Sequence, residues 1–141
     1  MLISILVAIA ALSLSSCDKY EKQQKHLDGN WTLTSYKFKN QLGLSYYPEA
    51  SGTIFFENCS DTVCAYSTSL EYSSPQITGA RVEAGRYSLN KDGGQLYLTP
   101  IVNGIDQNRI SNGMTLLTRT NLQFQYTDDQ GRSHHYVFEK Q

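Results

Sequence analysis

The sequence predicts an all-β fold, a small antiparallel up-and-down β-barrel of about eight strands, and three observations point to it. From Leu27 onward apolar and polar residues alternate in short runs, and no long stretch carries the i, i+3, i+4, i+7 stripe of a helix. Clusters of Gly, Asn, Asp, Ser and Pro separate these runs at intervals of about 8–12 residues. Tyr is abundant, at ten of 141 residues, and aromatic and β-branched side chains suit a pleated, half-buried surface.

The N-terminus follows a different pattern. Leu2 to Leu14 is apolar apart from Ser4 and Ser13. As a helix this run would be ~20 Å long against a hydrocarbon core of ~30 Å, the length of a signal-peptide apolar region and short for a span. Leu14-Ser15-Ser16-Cys17 follows. The four residues resemble the lipobox of bacterial lipoproteins, where an aliphatic and two small residues precede the lipidated Cys. The resemblance implies a signal peptide over 1–16, cleavage before Cys17, and acyl chains, palmitate among them, on that residue. A short buried helix would carry polar residues at helical spacing, and this run carries almost none. No Lys or Arg precedes it, so the α-amino group is the sole positive charge ahead of the run.

The segment 17–26 begins with the lipidated Cys, and DKYEKQQKH then reads as a polar tether; the alternative is a short helical start to the domain. The expected location is the bacterial cell envelope, lipid-anchored on the periplasmic or cell-surface side, with the outer membrane the expected host. Asp18 resembles an inner-membrane retention signal that only some lineages use, so it selects no membrane.

The domain proper is expected over 27–141. Leu122, Phe124 and Tyr126 alternate with Gln123 and Gln125, Asp128-Asp129-Gln130-Gly131 supplies turn chemistry, and Tyr136 and Phe138 return on a second strand. Tyr87/Leu89 and Leu96/Leu98 form a similar hairpin around Lys91-Asp92-Gly93-Gly94. The remaining expected strands are Trp31–Phe38, Thr53–Asn58, Cys64–Tyr72, Arg81–Leu89, Ile101–Ile110 and Met114–Thr118. Leu42–Ser51, with Gly43 and Pro48, reads as a loop. A closed sheet leaves no exposed edge.

Leu27-Asp28-Gly29-Asn30-Trp31 resembles the opening Gly-x-Trp of the lipocalin superfamily. Ile110, the run Leu117 to Phe124 and the closing Tyr136 to Lys140 resemble small lipocalin-like lipoproteins of the Bacteroidetes type. META-type lipoprotein domains also open on a Trp-bearing strand, but their Gly-Cys-Asn motif is missing from this sequence. The lipocalin resemblance implies that Trp31 plugs the narrow end of the barrel beneath a late-strand Arg, for which Arg119 and Arg132 are available.

With Cys17 acylated, Cys59 and Cys64 form an even pair, which in an extracytoplasmic chain argues for a disulfide. Closing so short a loop contributes only ~2 kcal/mol. No metal site is expected: His26, His134 and His135 lack ligand spacing, and neighbouring His134 and His135 on a strand face opposite ways. The phosphate-loop, nucleophile-elbow and zinc-protease motifs are all missing. Asp128 and Asp129 read as turn residues. The expectation is a non-enzyme without a cofactor. A formal charge of −1, with no basic stripe, argues against a nucleic-acid partner.

Two function classes lead. In one, the barrel binds a small apolar or amphipathic molecule; in the other, it is a protein-binding envelope module, an inhibitor or an accessory subunit of a membrane complex. For the first, the entry is expected at the mouth opposite Trp31, where the Leu42–Ser51 loop presents Leu44, Tyr46 and Tyr47.

Overall fold

The computed structural model describes residues 20–59 and 63–141. The expected signal peptide and Cys17 lie outside the described residues. The strands are β1 (Gly29–Lys39), β2 (Ser45–Tyr46), β3 (Glu49–Phe56), β4 (Cys64–Ser73), β5 (Thr78–Leu89), β6 (Gln95–Val102), β7 (Ile105–Asp106), β8 (Ile110–Leu117), β9 (Asn121–Thr127) and β10 (Ser133–Lys140). Apart from the two-residue β2 and β7, each strand pairs antiparallel with the next along the chain. β10 returns to β1, from Trp31↔Lys140 to Lys39↔Ser133, and closes an eight-stranded barrel.

Local chemistry accounts for the tight hairpins. Asn40, Asn90 and Asp128 each open a turn, and their carbonyls accept the N–H of Gly43, Gly93 and Gly131. The Asn40, Asn90 and Asp128 side chains accept further backbone N–H groups, the Asx chemistry that makes these residues turn formers. Curvature comes from two glycines and two bulges. A Cβ at Gly52 or Gly85 would overlap the carbonyl oxygen of Ser69 or Thr99 on the neighbouring strand, so no other residue fits these close approaches. The ladders shift between Leu33 and Ser35 of β1 and between Met114 and Leu116 of β8. An extra residue in one strand reverses which parity faces inward. Hence Trp31 and Leu33 are buried on one side of the β1 bulge, and Tyr36 and Phe38 on the other.

Three expectations change. Residues 20–27 are helical rather than a free tether: Gln24 and Leu27 are buried, and Tyr20 packs against the core. This is the alternative, a helical start, and its energy lies in tertiary contact that the polar sequence does not display. The expected strand Ile101–Ile110 is instead the end of β6, the short β7 and an exposed connection. Asn103 and Gly104 turn the chain there with positive φ, which ends the ladder. The expected loop Leu42–Ser51 is shorter, because Ser45–Tyr46 pairs with β1 and β3 already begins at Glu49.

The two barrel ends differ. At one, Leu27, Trp31, Phe56, Leu89, Leu96, Leu122 and Phe138 fill the interior, and the helix covers it. Trp31 is fully buried and its Nε1 donates to the Leu27 carbonyl at 2.7 Å. The cation over its ring is Lys140, with Nζ 5.0 Å from the centroid, and neither expected arginine takes that place. Arg132 lies 6.0 Å over Phe38 at the opposite end, and Arg119 is exposed in the β8–β9 turn. Strand direction explains the exchange: Lys140 ends β10 opposite Trp31 in the register. Cys59 and Cys64 are joined at this helix-covered end, Cα atoms 6.0 Å apart, within disulfide range.

Candidate functional site

The half of the barrel away from the helix is filled by polar and aromatic side chains, with Tyr36, Tyr66, Tyr136 and His134 all buried. The inward parity of β5, set by Tyr87 and Leu89 at its far end, carries Gly79, Arg81 and Glu83 into the lumen. Val82 between them faces out and is 73% exposed. The strand therefore points its charges inward and its valine to solvent, the reverse of the usual half-buried strand.

Arg81 and Glu83 pair within the barrel, their side chains 10% and 20% exposed. Arg81 Nη2 and Nε donate to Glu83 Oε1 at 2.8 and 3.0 Å, and the Tyr66 hydroxyl donates to the same oxygen at 2.8 Å. Among the described residues no hydrogen bond reaches Oε2, which stays available as an acceptor. The guanidinium carbon lies 5.4 Å from the Tyr126 ring centre and 5.9 Å from that of Tyr136. Burial opposes the Arg81 charge, but the Glu83 carboxylate, through its charge and its hydrogen bonds, favours the protonated guanidinium.

A second array stands nearer the mouth. Tyr36 packs against Tyr72 at 4.7 Å and Tyr136 at 5.0 Å, while Tyr126 stacks on His134 at 4.6 Å. The Tyr36 hydroxyl and His134 Nδ1 are 2.8 Å apart, and His134 Nε2 is 2.9 Å from Asp128 Oδ2. Asp128 also accepts from Arg132 Nε at 2.7 Å and from the Gln130 and Arg132 backbone N–H groups. Burial works against the Asp128 charge, yet bonds from His134, Arg132 and Gln130 hold its carboxyl well below the usual carboxylate range. Burial pushes His134 down, against the pull of Asp128. The consistent assignment is an ionised Asp128 and a neutral imidazole. Nε2–H then donates to Asp128 and Nδ1 accepts from Tyr36.

Burial raises Tyr36, Tyr66, Tyr126 and Tyr136 above the ordinary phenol range. All four remain neutral hydroxyls at physiological pH. The Tyr36 hydroxyl at the end of the Tyr36–His134–Asp128 chain belongs to a buried phenol that keeps its proton at physiological pH. Among the described residues no three of His, Cys, Asp and Glu converge as metal ligands.

The sequence-derived site residues occupy the rim. Tyr46 pairs with Phe38, its ring 6.1 Å away, at the end opposite Trp31. Leu44 and Tyr47 are 55% and 72% exposed. The lumen residues Arg81, Glu83, Tyr36, Tyr66, Tyr126, Tyr136 and His134 were not singled out as a site. One signal was present: Arg81 and Glu83 share the parity of Tyr87 and Leu89. An open recess of about 710 Å³ adjoins the mouth between β3, β4 and β5, with Ala50, Tyr72 and Gly79 in its wall.

No known protein-family model matches the chain, and no curated protein matches it. Solved structures do. A redesigned β-barrel, b11L5F_LGL, superposes with a TM-score of 0.54 at 13% identity, over 85% of this chain and 96% of that one. A redesigned β-barrel, mFAP1, bound to DFHBI, gives 0.56 at 13% identity over 84% and 99%. EF1p2_mFAP2b bound to DFHBI gives 0.55 at 12% identity over 86% and 99%. At these identities the likeness establishes the fold, a closed antiparallel β-barrel.

Proposed function

We propose that this chain is a lipid-anchored, extracytoplasmic barrel, akin to the small lipocalin-like lipoproteins, that takes a small amphipathic molecule into its tyrosine-lined half. The observation carrying this reading is the Arg81–Glu83 pair inside the barrel. A barrel filled only for stability has no need of it, since replacing a buried ion pair by apolar side chains is often neutral or stabilising. Phenol rings supply apolar contact area, while their hydroxyls and Glu83 Oε2 supply hydrogen bonds for a polar end. The DFHBI-bound barrels add that this architecture accommodates a small molecule. The sequence reading of an apolar or amphipathic guest thereby narrows to an amphipathic one.

The test is titration with an environment-sensitive dye. Ala50→Trp, placed at the lumen side of the mouth, is expected to abolish binding. Unchanged affinity in that variant would place the site elsewhere. The anchor is tested by Cys17→Ala, which is expected to lose partitioning into detergent, because each buried CH2 of an acyl chain contributes ~0.8 kcal/mol. Retention of that variant in carbonate-washed membranes counts against the anchor.

A second reading, a protein-binding envelope module, has one specific observation in its favour. Phe55, Val82 and Val102 expose apolar surface around an outer recess of about 770 Å³. If Phe55→Ser with Val82→Ser removes dye binding while Ala50→Trp does not, that outer face is the functional surface.

A further inference from the structure

The helix-covered end of the barrel carries a compact set of positive charges that the lumen reading does not use. Lys22, Lys25, His26 and Arg119 line one recess of about 440 Å³ between the helix and the β8–β9 turn, with Glu21 as its acid. The helix has two faces. Gln24 and Leu27 are turned into the barrel end, whereas Glu21, Lys22 and Lys25 are exposed. Arg119 is exposed beside them. Lys140 adds charge behind this layer, its Nζ donating to the His26 carbonyl at 3.1 Å. Burial and then the charges of Lys22, Arg119 and Lys140 push His26 below its ordinary value.

The position of this end relative to a membrane follows from chain length. Cys17 stands three residues before Tyr20, where the described helix begins. Three residues reach at most about 11 Å, so an acylated Cys17 keeps the start of the helix within roughly one Debye length of the lipid surface. The helix lies across the barrel end, so its exposed face looks away from the barrel. We infer that Lys22, Lys25 and Arg119 form a docking face for anionic phospholipid headgroups, which sets the barrel upright with its tyrosine-lined mouth pointing away from the bilayer. This inference rests on the proposed anchor at Cys17. Each Lys or Arg near an anionic surface strengthens association roughly fivefold, so three cations acting together give about a hundredfold.

The test uses the processed, full chain reconstituted into vesicles of phosphatidylcholine alone or of phosphatidylcholine with phosphatidylglycerol. Hydrogen exchange is read at the amides of Arg119 and Thr120, in the exposed β8–β9 turn. Exchange is expected to slow by roughly tenfold or more on the anionic vesicles, to recover at high salt, and to recover in a Lys22→Gln, Lys25→Gln, Arg119→Gln variant. All three side chains are exposed, so the variant should fold normally. Equal exchange on the two compositions overturns the proposal. Acylation of Cys17, read by mass, and retention on phosphatidylcholine vesicles report the anchor separately. A chain retained there without headgroup dependence leaves the anchor standing and removes the docking face. A chain that carries no acyl group and leaves those vesicles, yet binds anionic ones in a salt-dependent manner, removes the anchor and keeps the docking face.

Discussion

Arg81→Met tests whether the lumen pair is held for function rather than stability. The substitution keeps an unbranched side chain over the Tyr126 and Tyr136 rings but removes the cation. Glu83 is then a carboxylate with 20% side-chain exposure, and of its three hydrogen bonds only that from Tyr66 remains. Breaking a fully buried pair costs about 3–5 kcal/mol; the residual solvent contact of Glu83 lowers the expectation to about 2–3 kcal/mol. For a domain of this size that is a fall in Tm of roughly 10 °C. The double variant Arg81→Met, Glu83→Leu removes both charges and is expected to return to within about 1 kcal/mol of wild type, or above it. Both variants should lose affinity for a polar-ended ligand. Urea unfolding supplies the stabilities and dye titration the affinities. An Arg81→Met protein within about 0.5 kcal/mol of wild type would refute the assignment of a desolvated pair. So would a double variant less stable than the single one.

Trp31→Phe removes the indole N–H bond to Leu27 and shrinks the plug under Lys140, an expected loss of about 2 kcal/mol in urea, with faster hydrogen exchange across residues 20–27. Cys59→Ser with Cys64→Ser should cost ~2 kcal/mol, read as the same shift that reduction produces in the wild type. Stability should also fall on acidification, in two steps. The folded pKa of His134 lies below the ordinary 6.5, so the unfolded chain takes up the proton first and stability drops as pH falls through 6.5. Asp128 is depressed from 3.8, so its contribution is present above that value and is lost on further acidification. His134→Phe should make the first step shallower, with His26 and His135, whose pKa values are also lowered, supplying the remainder, and Asp128→Asn should reduce the second in unfolding curves taken from pH 8 to pH 3. A slope between pH 7 and 5 unchanged by His134→Phe would contradict the buried neutral imidazole.

The all-β class, the hairpin at Asp128–Gly131 and the hairpin around Asp92 were legible because each depends on neighbours a few residues apart, while the plug position of Trp31 followed from the lipocalin resemblance. Period-two alternation and turn side chains act locally, so their signals survive in the linear order. The interior of the half away from the helix was not legible in the same way. A single residue at the β1 bulge decides that Tyr36 and Phe38 share a lumen with Trp31 and Leu33, and no propensity in Leu33-Thr34-Ser35 announces it. The polarity of β5 is likewise a global outcome. Hydropathy alone would bury Val82, but Tyr87 and Leu89 anchor the strand at the filled end, and Arg81 and Glu83 follow them inward by unbroken alternation. Barrel closure then brings Lys140 over Trp31 and His134 within reach of Tyr36, pairs separated by about a hundred residues. The sequence by itself determined the all-β class, most of the strands and the tight turns between them. The tertiary structure decided which face of each strand meets the lumen and which distant charges meet there, because register and closure are properties of the whole sheet.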